Sequence, residues 1–141
     1  MKDLVILIPC RNEKNTIIKI ARFLKNYRIV IIDDASSDGF DTYFKFSKNI
    51  KIINNKLRIG YEKSLIKAIK YIKNLKDKKI KYILTMDADG DHNPIYVKKI
   101  YPWLIERGAS DKKRGELISN LYFFFELKYS SMHTWCVTQK D

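Results

Sequence analysis

The chain has 141 residues, 45% of them hydrophobic, and a formal net charge of +12, which fits one globular domain with a buried core. Its apolar runs are far shorter than the ~20 residues of a membrane-spanning helix, and Asp3 interrupts the start where a secretory signal would be apolar. We therefore expect no membrane span and a cytoplasmic location, and the charge favours an anionic partner unless it reflects only a lysine-rich solvated surface.

Four short apolar runs, each followed by a polar loop, predict β-strands. They lie at residues 4–8, 29–32, 50–53 and 82–86. Three of them are nearly continuous in Ile, Val and Leu, as expected for strands that are covered by helices on both faces.

Apolar residues recur at helical spacing between these runs. One such segment covers residues 17–24, with Asn15 or Thr16 as a candidate N-cap, and another covers 61–72. The alternation of strands and helices predicts an α/β sandwich with a mainly parallel sheet, a Rossmann-like architecture.

A third helix is predicted after the fourth strand. Asn93 would cap it, Pro94 would take its first position, and it would run to Arg107 with Gly108 as its stop. Beyond Gly108 the pattern weakens into a charged loop, an aromatic stretch predicted to be helical, and a segment without a clear period. These three parts are residues 109–116, 117–129 and 130–141.

Polar residues concentrate where the predicted strands end. In open parallel sheets, ligands bind outside the carboxyl ends of the strands. Acidic pairs follow the second and fourth strands, at Asp33-Asp34 and Asp87-Ala88-Asp89. Asp is also a common turn former, but two acidic clusters on neighbouring strand ends would repel each other unless a cation, or a ribose and base offering donors, lay between them.

The Asp-x-Asp spacing suits a hard divalent ion. Mg²⁺ or Mn²⁺ keeps several waters and needs only one or two protein carboxylates together with substrate phosphates. The pattern therefore predicts a nucleoside-diphosphate site that holds Mg²⁺ or Mn²⁺.

Four motifs in order resemble those of family 2 glycosyltransferases, which have the GT-A fold, over residues 4 to about 107. Pro9-Cys10-Arg11-Asn12-Glu13 resembles the opening P-x-x-N-E, and residues 30–39 resemble V-D-D-x-S-x-D-G. Residues 55–60 resemble the N-x-G turn. Residues 86–94 resemble the D-A-D-x-Q-H-P of the polyprenyl-phosphate sugar transferase branch, which includes dolichyl-phosphate mannosyl- and glucosyltransferases.

The resemblance implies roles for individual residues. The nucleotide pocket would be lined by Pro9, Arg11 and Glu13. Contacts to the base, ribose or phosphate would come from Asp34 or Asp33, and from Arg58. The acidic loop would hold the metal; it consists of Asp87, Ala88 and Asp89, with Asp87 and Asp89 as metal ligands. Asp91 replaces the usual Gln of the branch, which adds a charge close to the metal.

The resemblance is looser after residue 107. Gly108-Ala109-Ser110 stands where the branch has G-S-R, so Lys112, Lys113 or Arg114 would supply the missing cation, and we name Asp89 and Arg114 as catalytic residues. Residues 133–137 resemble D-T-x-C-G. We expect a nucleotide-sugar-binding half at 1–107, a partial acceptor-side segment at 108–141, and truncation at the C-terminus.

These features predict an inverting transferase that moves a sugar from a UDP- or GDP-sugar to an acceptor. Few carboxylates after residue 107 could act as a general base for a glycan hydroxyl, which favours polyprenyl phosphate and a peripheral contact with the inner face of the membrane. The alternative is a non-catalytic nucleotide-sugar-binding remnant. Nucleic acid is disfavoured by the acidic clusters and by the lack of a binding motif.

Overall fold

In a computed structural model, residues 3–108, 123–126 and 133–136 are described. Four parallel strands form the central sheet in the order β3-β2-β1-β4. They are β1 (Leu4–Cys10), β2 (Arg28–Asp33), β3 (Ile50–Asn54) and β4 (Tyr82–Thr85). All four lie where the apolar runs predict them, and the α/β class with a parallel sheet is confirmed.

Helices cover both faces of the sheet. Side chains on successive strand residues point to opposite faces, and because the strands are apolar at nearly every position, both faces are buried against helices. On one face, Val5 and Leu7 of β1 and Val30 of β2 pack with α2 (Tyr61–Asn74). On the other, Leu4, Ile6 and Ile8 belong to a larger core. That core includes residues of α1 (Lys14–Phe23), a 3₁₀ helix (Phe40–Phe44) and α3 (Ile95–Gly108).

The start of α1 differs from the prediction. Glu13 takes the N-cap position and makes no side-chain cap, while Asn15 and Thr16 lie inside the helix. The cap comes from a different loop, since Oδ2 of Asp38 accepts a hydrogen bond from the main-chain N–H of Lys14 at 2.9 Å. A long-range cap of this kind leaves no local signal in the sequence.

The predicted N-cap of α3 is confirmed. The side-chain oxygen of Asn93 accepts a hydrogen bond from the N–H of Ile95 at 3.0 Å. The helix begins at Ile95, one residue after Pro94, and Gly108 is its last residue instead of lying beyond it.

Two further strands lie near the C-terminus, where β5 (Phe123–Glu126) and β6 (His133–Cys136) pair antiparallel. The helix predicted over residues 117–129 is therefore wrong at 123–126, where consecutive phenylalanines favour a strand once a partner is available. No helix in the described part of the chain is long and apolar enough to span a bilayer.

Candidate functional site

Loops after all four parallel strands meet at the carboxyl edge of the sheet. Main-chain hydrogen bonds extend the ladders beyond the strands: the N–H of Asp34 donates to the carbonyl of Cys10 at 3.0 Å, and that of Asn55 to the carbonyl of Asp33 at 2.8 Å. Likewise, the N–H of Met86 donates to the carbonyl of Leu7 at 3.1 Å. The four loops are therefore fixed relative to one another by the sheet itself.

The loops after β1 and β2 are joined by the side chain and main chain of Asn12. Asn12 has a positive φ of 56°, and its N–H donates to Oγ of Ser36 at 3.0 Å. Its side-chain oxygen accepts from the N–H of Ser37 at 2.8 Å. These bonds hold the short segment that carries Arg11 beside the second loop.

Asp34 is a buried carboxylate that organises the loop between β3 and α2. It is 7% exposed, and its oxygens accept hydrogen bonds from Nδ2 of Asn55 at 3.0 Å, the N–H of Ile59 at 2.8 Å and the N–H of Gly60 at 2.9 Å. Burial alone would raise the pKa of Asp34, but these bonds, together with one from Ser64, outweigh it and hold the pKa below its ordinary value. Asp34 is therefore a charged anchor at neutral pH.

A hollow of about 190 Å³ opens between these loops. Four of the residues predicted for the nucleotide pocket line it, and four others that line it had no predicted role. The former are Pro9, Arg11, Asp34 and Arg58; the latter are Cys10, Gly60, Tyr61 and Ser64.

Cys10 is the only residue lining the hollow that carries a thiol, and its surroundings disfavour the ionised, nucleophilic form of that thiol. Burial, aided by the negative charges of Asp33 and Asp38, raises the pKa of the Cys10 thiol to about 12, despite an opposing hydrogen bond with the main chain at Glu13. The thiol stays protonated at neutral pH, so it is a wall of the hollow and not a nucleophile.

Tyr61 connects the hollow to the acidic loop that follows β4. Its hydroxyl donates to Oδ1 of Asp87 at 3.2 Å. Partial burial, the charge of Asp87 and this hydrogen bond all raise the pKa of Tyr61, with a further contribution from Asp89. Both carboxylates of the Asp-x-Asp motif therefore act electrostatically on a side chain that lines the hollow.

The acidic loop is held by its own hydrogen bonds. The N–H of Asp87 donates to Nδ1 of the buried His92 at 2.9 Å, and the N–H of Asp91 donates to Oδ1 of Asp89 at 3.0 Å. Nδ1 of His92 also lies 3.6 Å from Oδ2 of Asp87. The buried His92 therefore supports the main chain of the acidic loop.

The donor set of this loop fits a hard divalent cation. Asp87 is partly exposed and Asp89 is exposed, and both offer carboxylate oxygens. Among the described residues, no group of three or more His, Cys, Asp or Glu side chains is arranged to hold a metal. Two carboxylates are nevertheless enough for Mg²⁺ or Mn²⁺, which fills its remaining positions with water and phosphate oxygens.

One part of the electrostatic prediction is wrong. The acidic clusters do not follow neighbouring strands, because β1 lies between β2 and β4. The charge of Asp34 is balanced by hydrogen-bond donors of its own loop, and Oδ1 of Asp33 accepts the N–H of Ser36 at 2.9 Å. No cation is needed between the two clusters to explain how they coexist.

The other predicted residues are placed as follows. Glu13 and the buried Asp33 are not among the residues that line the hollow, and Asp91 is exposed in the acidic loop beside Ala88, which is buried. Arg114, together with Lys112 and Lys113, lies outside the described residues. The contacts proposed for all of these side chains remain predictions.

Comparison with known proteins finds that the sequence of this chain is similar to glycosyltransferases. The model of the family described as glycosyl transferase family 2 matches residues 5–111. An uncharacterized protein of Methanocaldococcus jannaschii is 30% identical over an alignment of 113 residues, and the alignment covers 75% of this chain and 48% of that protein. An uncharacterized glycosyltransferase of Haemophilus influenzae is 32% identical over an alignment of 84 residues, and the alignment covers 57% of this chain and 24% of that protein.

The chain thus spans less than half the length of these two relatives. Among solved structures, the crystal structure of GalNAc-T7 with UDP, GalNAc and Mn²⁺ is similar with a TM-score of 0.46 and 22% identity. The similarity covers 62% of this chain and 18% of that one.

Proposed function

This chain belongs to glycosyl transferase family 2, and from that membership we propose that it binds a nucleoside-diphosphate sugar at the carboxyl edge and transfers the sugar with inversion. One observation carries the proposal: the hollow lined by Arg11 and Arg58 is joined through Tyr61 to the acidic loop of Asp87. Guanidinium groups suit phosphate oxygens, and the neighbouring carboxylates suit a cation that such phosphates bring with them.

Asp87 and Asp89 are the residues that would hold Mg²⁺ or Mn²⁺. The bound ion supplies positive charge that stabilises the diphosphate as a leaving group. The hydrogen bond from Asp91 to Asp89 and that from Asp87 to His92 fix the backbone of the loop, so the two carboxylates are presented from a rigid turn. Rigid presentation lowers the reorganisation that ligand binding requires.

In the reaction, an acceptor oxygen forms a bond to the anomeric carbon while the bond from that carbon to the diphosphate breaks on the opposite face. The electron pair of the broken bond remains on the diphosphate. Arg11 and Arg58 would stabilise the negative charge that develops on the diphosphate, since preorganised cations contribute most where charge appears.

The proposed acceptor is a polyprenyl phosphate. Its oxygen is already anionic and needs no general base, in contrast to a glycan hydroxyl. The likeness of the loop from Asp87 to Pro94 to the polyprenyl-phosphate branch supports this choice, although Asp91 departs from it. A lipid acceptor would place the protein in the cytoplasm, at the inner face of the membrane.

Calorimetric titration with UDP- and GDP-sugars, with and without Mn²⁺, tests the donor site. Asp89→Asn keeps an oxygen to accept the N–H of Asp91 but removes the carboxylate charge, so we expect the Mn²⁺-dependent part of binding to disappear. Asp41→Asn, in the 3₁₀ helix, is the control with the same change of charge. Metal-dependent binding that is equal in all three proteins would refute the metal assignment.

A transfer assay separates catalysis from binding alone. We expect the sugar to pass to a short-chain polyprenyl phosphate and not to the matching polyprenyl alcohol. Binding of the nucleotide sugar without transfer to any acceptor would instead support the non-catalytic alternative, and transfer to the alcohol would contradict the phosphate acceptor.

A further inference from the structure

Tyr61 is the first residue of α2 and contacts two parts of the proposed site at once. Its side chain lines the hollow beside Arg58 and Ser64, and its hydroxyl reaches Oδ1 of Asp87 at 3.2 Å. The two residues are 26 positions apart in the sequence and follow different strands, so the fold alone brings them together.

The direction of this hydrogen bond follows from its chemistry. An ionised carboxylate only accepts hydrogen bonds, so the phenol must be the donor. A hydroxyl that donates to one oxygen of a carboxylate fixes its orientation and leaves lone pairs on the other oxygen available to a cation. Groups that hydrogen-bond to ligating carboxylates in this way orient them and tune the affinity for metal.

We propose that Tyr61 is a positioning residue for the metal site: its hydroxyl holds the side chain of Asp87 in the orientation that binds a divalent cation, while its ring forms a wall of the nucleotide hollow. The inference rests on the proposed function, because it assigns a role to Tyr61 only in a site that takes a metal and a nucleotide.

The restraints on Asp87 act on different atoms. His92 accepts the main-chain N–H of Asp87 and thereby fixes the backbone of the loop. Tyr61 contacts the carboxylate itself, so loss of its hydroxyl frees the side-chain torsion without releasing the loop. A change at Tyr61 is therefore separable from collapse of the acidic loop.

The same geometry couples the two ligands. A nucleotide that packs on the ring of Tyr61 restrains the side chain whose hydroxyl orients Asp87, so nucleotide binding favours metal binding. Linkage requires the reverse effect to have the same size. We therefore expect UDP or GDP to raise the affinity for Mn²⁺ more in the native protein than in a variant that lacks the hydroxyl.

The test compares Mn²⁺ affinity in the native protein and in Tyr61→Phe, measured from the electron paramagnetic resonance signal of free Mn²⁺ with and without UDP or GDP. We expect Tyr61→Phe to weaken Mn²⁺ binding by about tenfold, as removal of such orienting groups typically does. Metal-free affinity for the same nucleotide should not change, because the ring is retained.

Tyr43→Phe is the matched control. Tyr43 is 46% exposed against 48% for Tyr61, and its hydroxyl also takes part in a hydrogen bond, with Nε of Arg22 at 2.8 Å. Tyr61→Leu adds a second variant, which removes ring and hydroxyl together and should weaken metal-free nucleotide binding as well.

The outcomes separate the two levels of the proposal. Native protein that binds neither Mn²⁺ nor nucleotide would defeat the proposed function and this inference with it. Native protein that binds both, with Tyr61→Phe indistinguishable from Tyr43→Phe, would overturn the role of Tyr61 and leave the proposed function standing.

Discussion

Asp34 illustrates how a single buried side chain can organise the loops around a site. Its carboxylate accepts two main-chain N–H groups, from Ile59 and Gly60, and one side-chain N–H from Asn55. With Ser64 as a further donor, the four lone-pair positions of a carboxylate are accounted for. Asp34 therefore shapes the wall of the hollow and holds the loop that carries Arg58. Its hydrogen bond with the base or ribose, which the resemblance implies, remains a prediction.

This arrangement predicts a pH-dependent cost for Asp34→Asn. The amide of Asn would point a donor at main-chain N–H groups, so the free energy of unfolding at pH 7 should fall by about 1–3 kcal/mol, the usual cost of unsatisfied buried groups. The native pKa is lowered, so the stabilisation is complete above the unfolded value of about 3.9 and is lost as pH falls through the lower folded value.

Urea unfolding at pH 7 and pH 3 measures this difference. The gap between native protein and Asp34→Asn should be smaller at pH 3, whereas Asp41→Asn should differ little from native protein at either pH. An equal gap at both pH values would show that the charge of Asp34 contributes nothing to the fold.

The acidic loop after β4 is shaped by contact with α1. Gly90 has a φ of 96°, and a Cβ added there would lie 3.0 Å from Cγ2 of Thr16. Only glycine adopts this backbone freely, and the close approach of the helix adds a steric limit. The loop that carries Asp89 is therefore restrained by a contact with a different layer of the fold.

Gly90→Ala separates these two causes. The positive φ should cost about 1–3 kcal/mol of stability, and the contact with Thr16 should add to that. Thr16→Ser removes Cγ2, so in its background Gly90→Ala should cost less, although the backbone strain remains. Thermal unfolding of the four proteins gives the coupling, and a cost that Thr16→Ser does not reduce would contradict the steric part.

The sequence predicts those features of the fold that depend on neighbouring residues. The four strands and the cap of α3 by Asn93 follow from local signals, namely apolar runs and a short polar side chain before a helix. The order β3-β2-β1-β4, the cap of α1 by Asp38 and the contact of Tyr61 with Asp87 depend on residues that are at least 21 positions apart in the sequence. Periodicity within one segment does not encode such contacts. The sequence shows only that an aromatic residue, Tyr61, directly follows Gly60, which does not reveal its contact with Asp87.

Exposed basic side chains lie at both edges of the parallel sheet. The segment before β4 carries Lys76, Lys78, Lys79 and Lys81, all exposed, at the amino edge. At the carboxyl edge, the loop after β3 presents the exposed Lys56 and Arg58 on either side of Leu57, which is 76% exposed. If charge alone set the orientation of the protein, the amino edge would face an anionic membrane. A lipid-phosphate acceptor, in contrast, can reach the hollow only if the carboxyl edge faces the membrane.

Binding to vesicles that contain phosphatidylglycerol distinguishes these orientations. If the acceptor is a lipid phosphate, Lys56→Ala should weaken binding about fivefold, as expected for ~1 kcal/mol per basic residue near the surface, while Lys78→Ala removes the same charge with little effect. Leu57→Ser should also weaken binding, since Leu57 would enter the lipid interface, and Leu75→Ser at the far end of α2 is its control. A larger loss of vesicle binding with Lys78→Ala would mean that the amino edge faces the bilayer and the hollow faces away from it. A strand of six residues spans about 20 Å, and a lipid phosphate could not cross that distance to the hollow. This outcome would therefore argue for an acceptor in solution.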